Sequence, residues 1–198
     1  MRRLWLLLLL GVLAPWVSAK GIPAQGVAVH GNADGNTPGW TINTELPTGW
    51  TQDCCMYARG IGVNLVLYQG EWTGKPERVM VLNVWPAKQP TLAMEMQDDR
   101  QRYLQSDPHG KADGFPVTSP RSIACQGVLY QGSDHLDDVV VFCDPGKASG
   151  IRYSWSMTVS ATDPHRQALL DTFKQVVQRS RYATYVQGPA AAHTNATP

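Results

Sequence analysis

The sequence predicts an α+β domain in which an antiparallel β-sheet is packed with two main helices, and three observations lead there. Ile151, Tyr153, Trp155, Met157 and Val159 alternate with Arg152, Ser154, Ser156 and Thr158, the period-two pattern of a strand with one buried and one wet face. Leu169, Leu170, Phe173, Val176 and Val177 fall on one helical face. Most apolar runs are joined by short polar connections, so neighbouring strands pair as hairpins with the helices segregated between them. The 198 residues suit a single domain with tails.

Residues 1–19 read as a signal peptide. Arg2 and Arg3 form a basic start, the Leu-rich run over residues 4–13 is interrupted only by Trp5, Gly11 and Val12, and Val17-Ser18-Ala19 offers small residues for cleavage after Ala19. That run is too short to cross ~30 Å of hydrocarbon, so no membrane anchor is expected after cleavage. The mature protein is expected to be periplasmic or secreted. Residues 20–39, with Gly21, Gly26, Gly31, Gly35 and Gly39, read as a flexible leader carrying at most a short strand over 27–30.

The domain is expected over residues 40–186. Trp40, Ile42 and Leu46 alternate with Thr41 and Asn43, and Pro47 ends that strand. Residues 50–60 fit a loop or a helical turn carrying two adjacent cysteines. Residues 63–68 and 78–85 form a central hairpin, with the chain turning over 71–75. The first helix starts at Pro90-Thr91, buries Leu92, Met96, Tyr103 and Leu104, and stops at Asp107-Pro108. Residues 117–124 and 125–130 are extended, and 138–143 form a buried strand. Asp163 caps the last helix, with Pro164 at its first position, and Lys174, Arg179 and Arg181 fall late, where they complement the helix dipole. Residues 187–198 lack an apolar period and read as a disordered tail.

Gly49-Trp50, Gly62-Val-Asn-Leu-Val-Leu-Tyr68, residues 78–85 and residues 169–182 resemble small exported bacterial proteins with the PsbP/DcrB-like sandwich fold. The resemblance implies an antiparallel sheet flanked by helices, a long C-terminal helix closing the domain, and an extracytoplasmic location. It spans the order of elements over residues 40–182 and includes no functional motif, so it implies no chemistry.

Four cysteines, Cys54, Cys55, Cys125 and Cys143, in an exported chain read as two disulfides. Opposed residues of an antiparallel hairpin keep a constant sum of residue numbers, so a turn that pairs Gln131 with Asp137 also brings Cys125 opposite Cys143. Two schemes follow. Cys125 bonds Cys143, leaving Cys54 and Cys55 as an adjacent pair or as free thiols; or the adjacent pair reaches across, one cysteine to each hairpin strand. The second is the expected scheme, because it links distant segments with less ring strain. A redox dithiol or a zinc knuckle needs residues between its cysteines, and Cys54-Cys55 has none.

Catalytic signals are weak. There is no G-x-S-x-G, and Gly146-Lys147-Ala148-Ser149-Gly150 puts its serine one place late. Ser133-Asp134-His135 has triad residue types, but a contiguous run cannot adopt triad geometry. The groups Asn32/Asp34/Asn36, Asp107/His109/Asp113 and Asp134/His135/Asp137/Asp138 read as solvated turns rather than calcium loops. His30, His109, His135, His165 and His193 show no ligand spacing. A formal net charge of +1 argues against a general nucleic-acid binder, which needs a basic footprint. No catalytic residue, metal or cofactor is expected.

Trp85 and Trp155 lie in strands and are expected in the core. Trp72, flanked by Gly70 and Gly74, is expected on a projecting turn, where an aromatic side chain can anchor a partner. The function expected is therefore a disulfide-stapled, non-enzymatic protein-binding module of the bacterial envelope, an accessory, inhibitor or immunity-type protein. A carrier of a small apolar ligand and, further off, an unrecognised hydrolase are the alternatives.

Overall fold

The computed structural model describes residues 25–72, 76–118 and 123–185; the signal peptide and the tail expected from the sequence lie outside the described residues. In chain order the elements are β1 (Gly26–Gly31), β2 (Gly39–Glu45), β3 (Thr51–Asp53), α1 (Tyr57–Gly60), β4 (Leu65–Gln69), β5 (Arg78–Pro86), α2 (Leu92–Ser106), β6 (Lys111–Phe115), β7 (Ala124–Gln131), β8 (Leu136–Asp144), β9 (Ile151–Ser160), α3 (Arg166–Arg179) and β10 (Arg181–Tyr185). The main sheet has seven strands in the order β3-β4-β5-β9-β8-β7-β6, and β1-β2-β10 form a smaller one. Every pairing in both sheets is antiparallel. The α+β class is as expected, with two sheets in place of one.

The strongly alternating β9 runs down the middle of the main sheet, between β5 and β8. Its Tyr153, Trp155 and Met157 join Leu65, Leu67, Met80, Leu82 and Val141 on one face. Against that face lie Leu169, Phe173, Val176 and Val177 of α3, together with Val27, Val29, Trp40 and Ile42 from the small sheet. Each large apolar side chain buried this way contributes roughly 1.5–3 kcal/mol. The Thr44 hydroxyl donates to the Val176 carbonyl at 2.8 Å, tying the small sheet to α3.

The opposite face is covered in two patches. Leu92 of α2 packs with Ala112, Val128, Tyr130 and Phe142, and Ala58 of α1 packs with Val66 and Tyr68. Arg152, on the face expected to be wet, is buried under α2. Its guanidinium donates to Glu95 at 2.6 Å, to Asp144 at 3.1 Å and to the Gln89 carbonyl at 3.0 Å. Glu95 also accepts the Trp85 indole N–H at 2.7 Å. A buried cation satisfied on several sides locates α2 on the sheet, and removing one partner would leave an uncompensated charge.

Four expectations are corrected. The short strand allowed over 27–30 is present as β1, but its Val27 and Val29 are buried against the core rather than carried on a flexible leader. The last helix begins at Arg166; Asp163 instead accepts the His165 backbone N–H at 2.7 Å and pairs with Arg78 at 3.4 Å. It is not the element that closes the domain, since it ends at Arg179 and β10 follows. Finally, the cysteines bond Cys54 to Cys55 and Cys125 to Cys143, so the expected scheme linking the adjacent pair to the hairpin is wrong. The hairpin register itself is as expected, with Gln131 opposite Asp137 and Cys125 opposite Cys143. That opposition satisfies the two hairpin thiols locally and leaves Cys54 and Cys55 only each other.

Candidate functional site: a cleft beside the adjacent-cysteine disulfide

The sheet face that carries α1 and α2 is left partly uncovered between them. There β5 offers Val79 and Val81, and β9 offers the hydroxyls of Ser156 and Thr158. A cleft of about 700 Å³ opens over them, lined also by Ile61, Trp72 and Leu136. Ile61 is 51% and Leu136 46% exposed, and they are two of only four large apolar side chains so exposed among the described residues. Arg78 and Asp163 stand at its end as an ion pair. The volume falls in the range of ligand pockets, and the mix of apolar walls with a few hydroxyls is typical of them.

Trp72 does not project. It is half-buried, stacked on Tyr57 with ring centroids 4.7 Å apart and edge-on to Tyr68 at 5.3 Å. Trp72 is thus braced by α1, while its indole still lines the cleft. Stacking of this kind fixes an aromatic ring at little further entropy cost, which suits a wall better than a mobile tip.

The wall in turn depends on the loop before α1. Asp53, the last residue of β3, turns its carboxylate back on the chain. Oδ1 accepts the backbone N–H groups of Cys55 at 3.1 Å, Met56 at 3.1 Å, Tyr57 at 2.7 Å and Ala58 at 3.0 Å. Desolvation works against its charge, but the four backbone donors outweigh it and hold the Asp53 carboxyl below its ordinary range. Cys54 and Cys55 lie inside this cage and are both exposed, as is Met56 at 71%. Sequence reading found the cysteines and Trp72 separately. It missed that one short helix joins them, and it missed Ile61 and Leu136, which no motif marks.

The other polar groups singled out in the sequence are occupied by structural partners. Asp137, buried, takes Arg166 at 2.7 Å, and Asp138 accepts the Thr158 hydroxyl. Asp107 accepts the backbone N–H groups of Ser133 at 2.7 Å, Gly110 at 3.1 Å and His109 at 3.2 Å. Asp34 and Thr37 close a turn through backbone hydrogen bonds. Ser149 is buried and donates to the Gly146 carbonyl at 2.7 Å. His30, His109, His135 and His165 are all exposed, and His193 lies outside the described residues. No cluster of three or more metal-ligating side chains occurs among the described residues. A second cavity, about 410 Å³ beside α2, is lined by Glu95, Asp98, Asp99 and Arg102, and Glu95 there is already committed to Arg152 and Trp85.

No family model matches the chain, and no curated protein matches it. Among solved structures it is similar to cyanobacterial PsbP (CyanoP) from Synechocystis sp. PCC 6803, at 13% identity and a TM-score of 0.49, over 88% of this chain and 100% of that one. It is also similar to LpqN, involved in cell envelope biogenesis of Mycobacterium tuberculosis, at 13% identity and a TM-score of 0.49, over 82% of this chain and 92% of that one. The first is a PsbP protein, the group the sequence resembles; at this identity and overlap neither neighbour carries an argument about function, and the architecture rests on the strand order and register given above.

Proposed function

We propose that the protein is an exported, non-enzymatic binding module that docks an apolar side chain of a partner protein in the cleft walled by Trp72. The observation that carries this reading is that two half-exposed apolar side chains, Ile61 and Leu136, line one cleft together with Trp72 and the hydroxyls of Ser156 and Thr158. Exposed apolar groups gathered round a braced aromatic ring have the form of an interface hot spot, in which a few such residues carry most of the binding energy. Trp72 keeps the role of partner anchor from its position in this wall. The disulfides, the signal-peptide pattern and the absence of a catalytic motif in the sequence support the exported, non-enzymatic part of the reading.

Photo-crosslinking tests it. A benzophenone amino acid at position 61 or 136, in cells exporting the protein, should give one adduct of common mass. The same probe at exposed Lys174, on α3, should give none, and Trp72→Ala should remove the adduct. Adducts of unrelated masses at all three positions would sink the reading. A co-purifying lipid or other small apolar molecule, lost on Leu136→Asp, would replace the protein partner with a small ligand. The cleft volume leaves room for one.

A further inference from the structure

We infer that the Cys54–Cys55 disulfide is a thiol-sensitive control on the cleft, an inference that rests on the docking role of that cleft. A staple is the first role to test against it, and chain entropy argues that role away. A crosslink stabilises by restricting the unfolded chain, and the effect grows with the length of the loop it closes. Cys54 and Cys55 are separated by a single peptide bond, so the loop is as short as a disulfide can close.

What the ring does constrain is the loop that seats α1. It closes between Asp53 and the N–H groups that Asp53 collects from Cys55 to Ala58. Tyr57, within that run, backs Trp72, and the residue after α1, Ile61, lines the cleft. A change of backbone torsion at Cys54–Cys55 therefore reaches the wall through one short helix.

Access favours this bond over the other. Cys54 and Cys55 are both exposed, whereas Cys125 is half-buried and Cys143 fully buried between β7 and β9. Exchange begins with attack of a thiolate on a disulfide sulfur, so it follows access, and exposed disulfides are the labile ones. The reductant required is an external dithiol. One of its thiolates attacks a sulfur of the pair, forming a mixed disulfide and releasing the other cysteine as a thiolate, which takes up a proton. The second thiol of the reductant then resolves the mixed disulfide, leaving Cys54 and Cys55 as thiols and the reductant as a disulfide. The oxidised form holds the wall for docking, and the reduced form loosens it.

The experiment uses the folded full chain under a mild dithiol, with alkylation and peptide mapping. Cys54 and Cys55 should label while Cys125 and Cys143 stay bonded. Amide exchange at Tyr57 and Ala58 should accelerate about tenfold, as expected for local opening. Binding of anilinonaphthalene sulfonate, read against Leu136→Asp to isolate the cleft signal, should weaken about tenfold, a shift of roughly 1.4 kcal/mol. The Cys54→Ser/Cys55→Ser variant should match the reduced protein and ignore the dithiol. Labelling of all four cysteines together, or unchanged exchange and binding after the pair is reduced, overturns the inference and leaves the cleft reading standing. If Leu136→Asp does not alter binding of the probe in either redox state, the cleft reading falls and the control falls with it.

Discussion

The two disulfides occupy opposite mechanical settings. Cys125–Cys143 spans a pair of strands that already face each other in register, inside the ladder β6-β7-β8-β9 and against the main core. Cys54–Cys55 spans nothing but its own peptide, on an exposed loop outside the ladder. The first makes an existing pairing harder to lose. The second fixes the shape of a connection that is also held by a cage of hydrogen bonds to Asp53. A covalent bond can therefore act as a fastener in one place and as a conformational setting in another, and the two roles call for different measurements.

The largest expected effect belongs to the fastened side. Trp155→Ala, which empties a fully buried site beside Val141 and Leu82, should cost ~3–5 kcal/mol in urea unfolding. Replacing Cys125 and Cys143 together by alanine should cost about 3 kcal/mol, the value for a loop of this length; a loss under about 1 kcal/mol would mean the ladder alone holds the register. On the other side, Trp72→Ala should cost ~1–2 kcal/mol through the lost stack on Tyr57 and the lost edge contact with Tyr68. A loss as large as that of Trp155→Ala would make Trp72 a core residue and remove its docking role.

Asp53→Ala should cost about 1 kcal/mol, as for a lost helix cap. Its acid behaviour sharpens the point. The folded carboxyl titrates below its ordinary 3.8, so its contribution is complete above that value and is lost as pH falls through the lower folded value. Protection of the Tyr57 and Ala58 amides should drop over that acid interval while the β7–β8 amides keep theirs. The smallest effect on global unfolding is expected for Cys54→Ser/Cys55→Ser, within about 0.5 kcal/mol of wild type, because the bond closes too short a loop to restrict the unfolded chain. A loss near that of the hairpin pair would erase the contrast.

The sequence disclosed what local pattern controls. The hairpin register followed from residue counting, and α2 starts where Thr91 signals, its hydroxyl accepting the Met94 N–H at 3.3 Å. Three strands escaped notice for physical reasons, the first of them β3, whose three residues are too few to show a period. Lys111-Ala112-Asp113-Gly114-Phe115 forms the sheet edge, where only Ala112 is buried, so little apolar pattern was required of it. In β10 no residue of Arg181-Tyr182-Ala183-Thr184-Tyr185 is fully buried, and its partner is β2, far away in sequence. The cleft was equally hidden: Ile61, Trp72, Val79, Leu136 and Thr158 come from five separate stretches, and only the fold brings them together. The expected disulfide scheme fails because Cys125 and Cys143, opposed in the hairpin register, bond each other and leave Cys54 and Cys55 only one another.

The pairing of β10 with β2 also sets an order of events during synthesis. Tyr182 meets Ile42, and Tyr185 meets Gly39, so the strand flanked on both sides in the small sheet waits for nearly the last described residues. Until they emerge, one edge of β2 presents unpaired backbone donors and acceptors, the kind of edge that recruits another chain. Closing so distant a contact is slow, because the entropy of a long loop is lost before the pairing compensates for it. The growing polypeptide thus remains unlatched through most of its production, and β10 is the clasp that ends that interval.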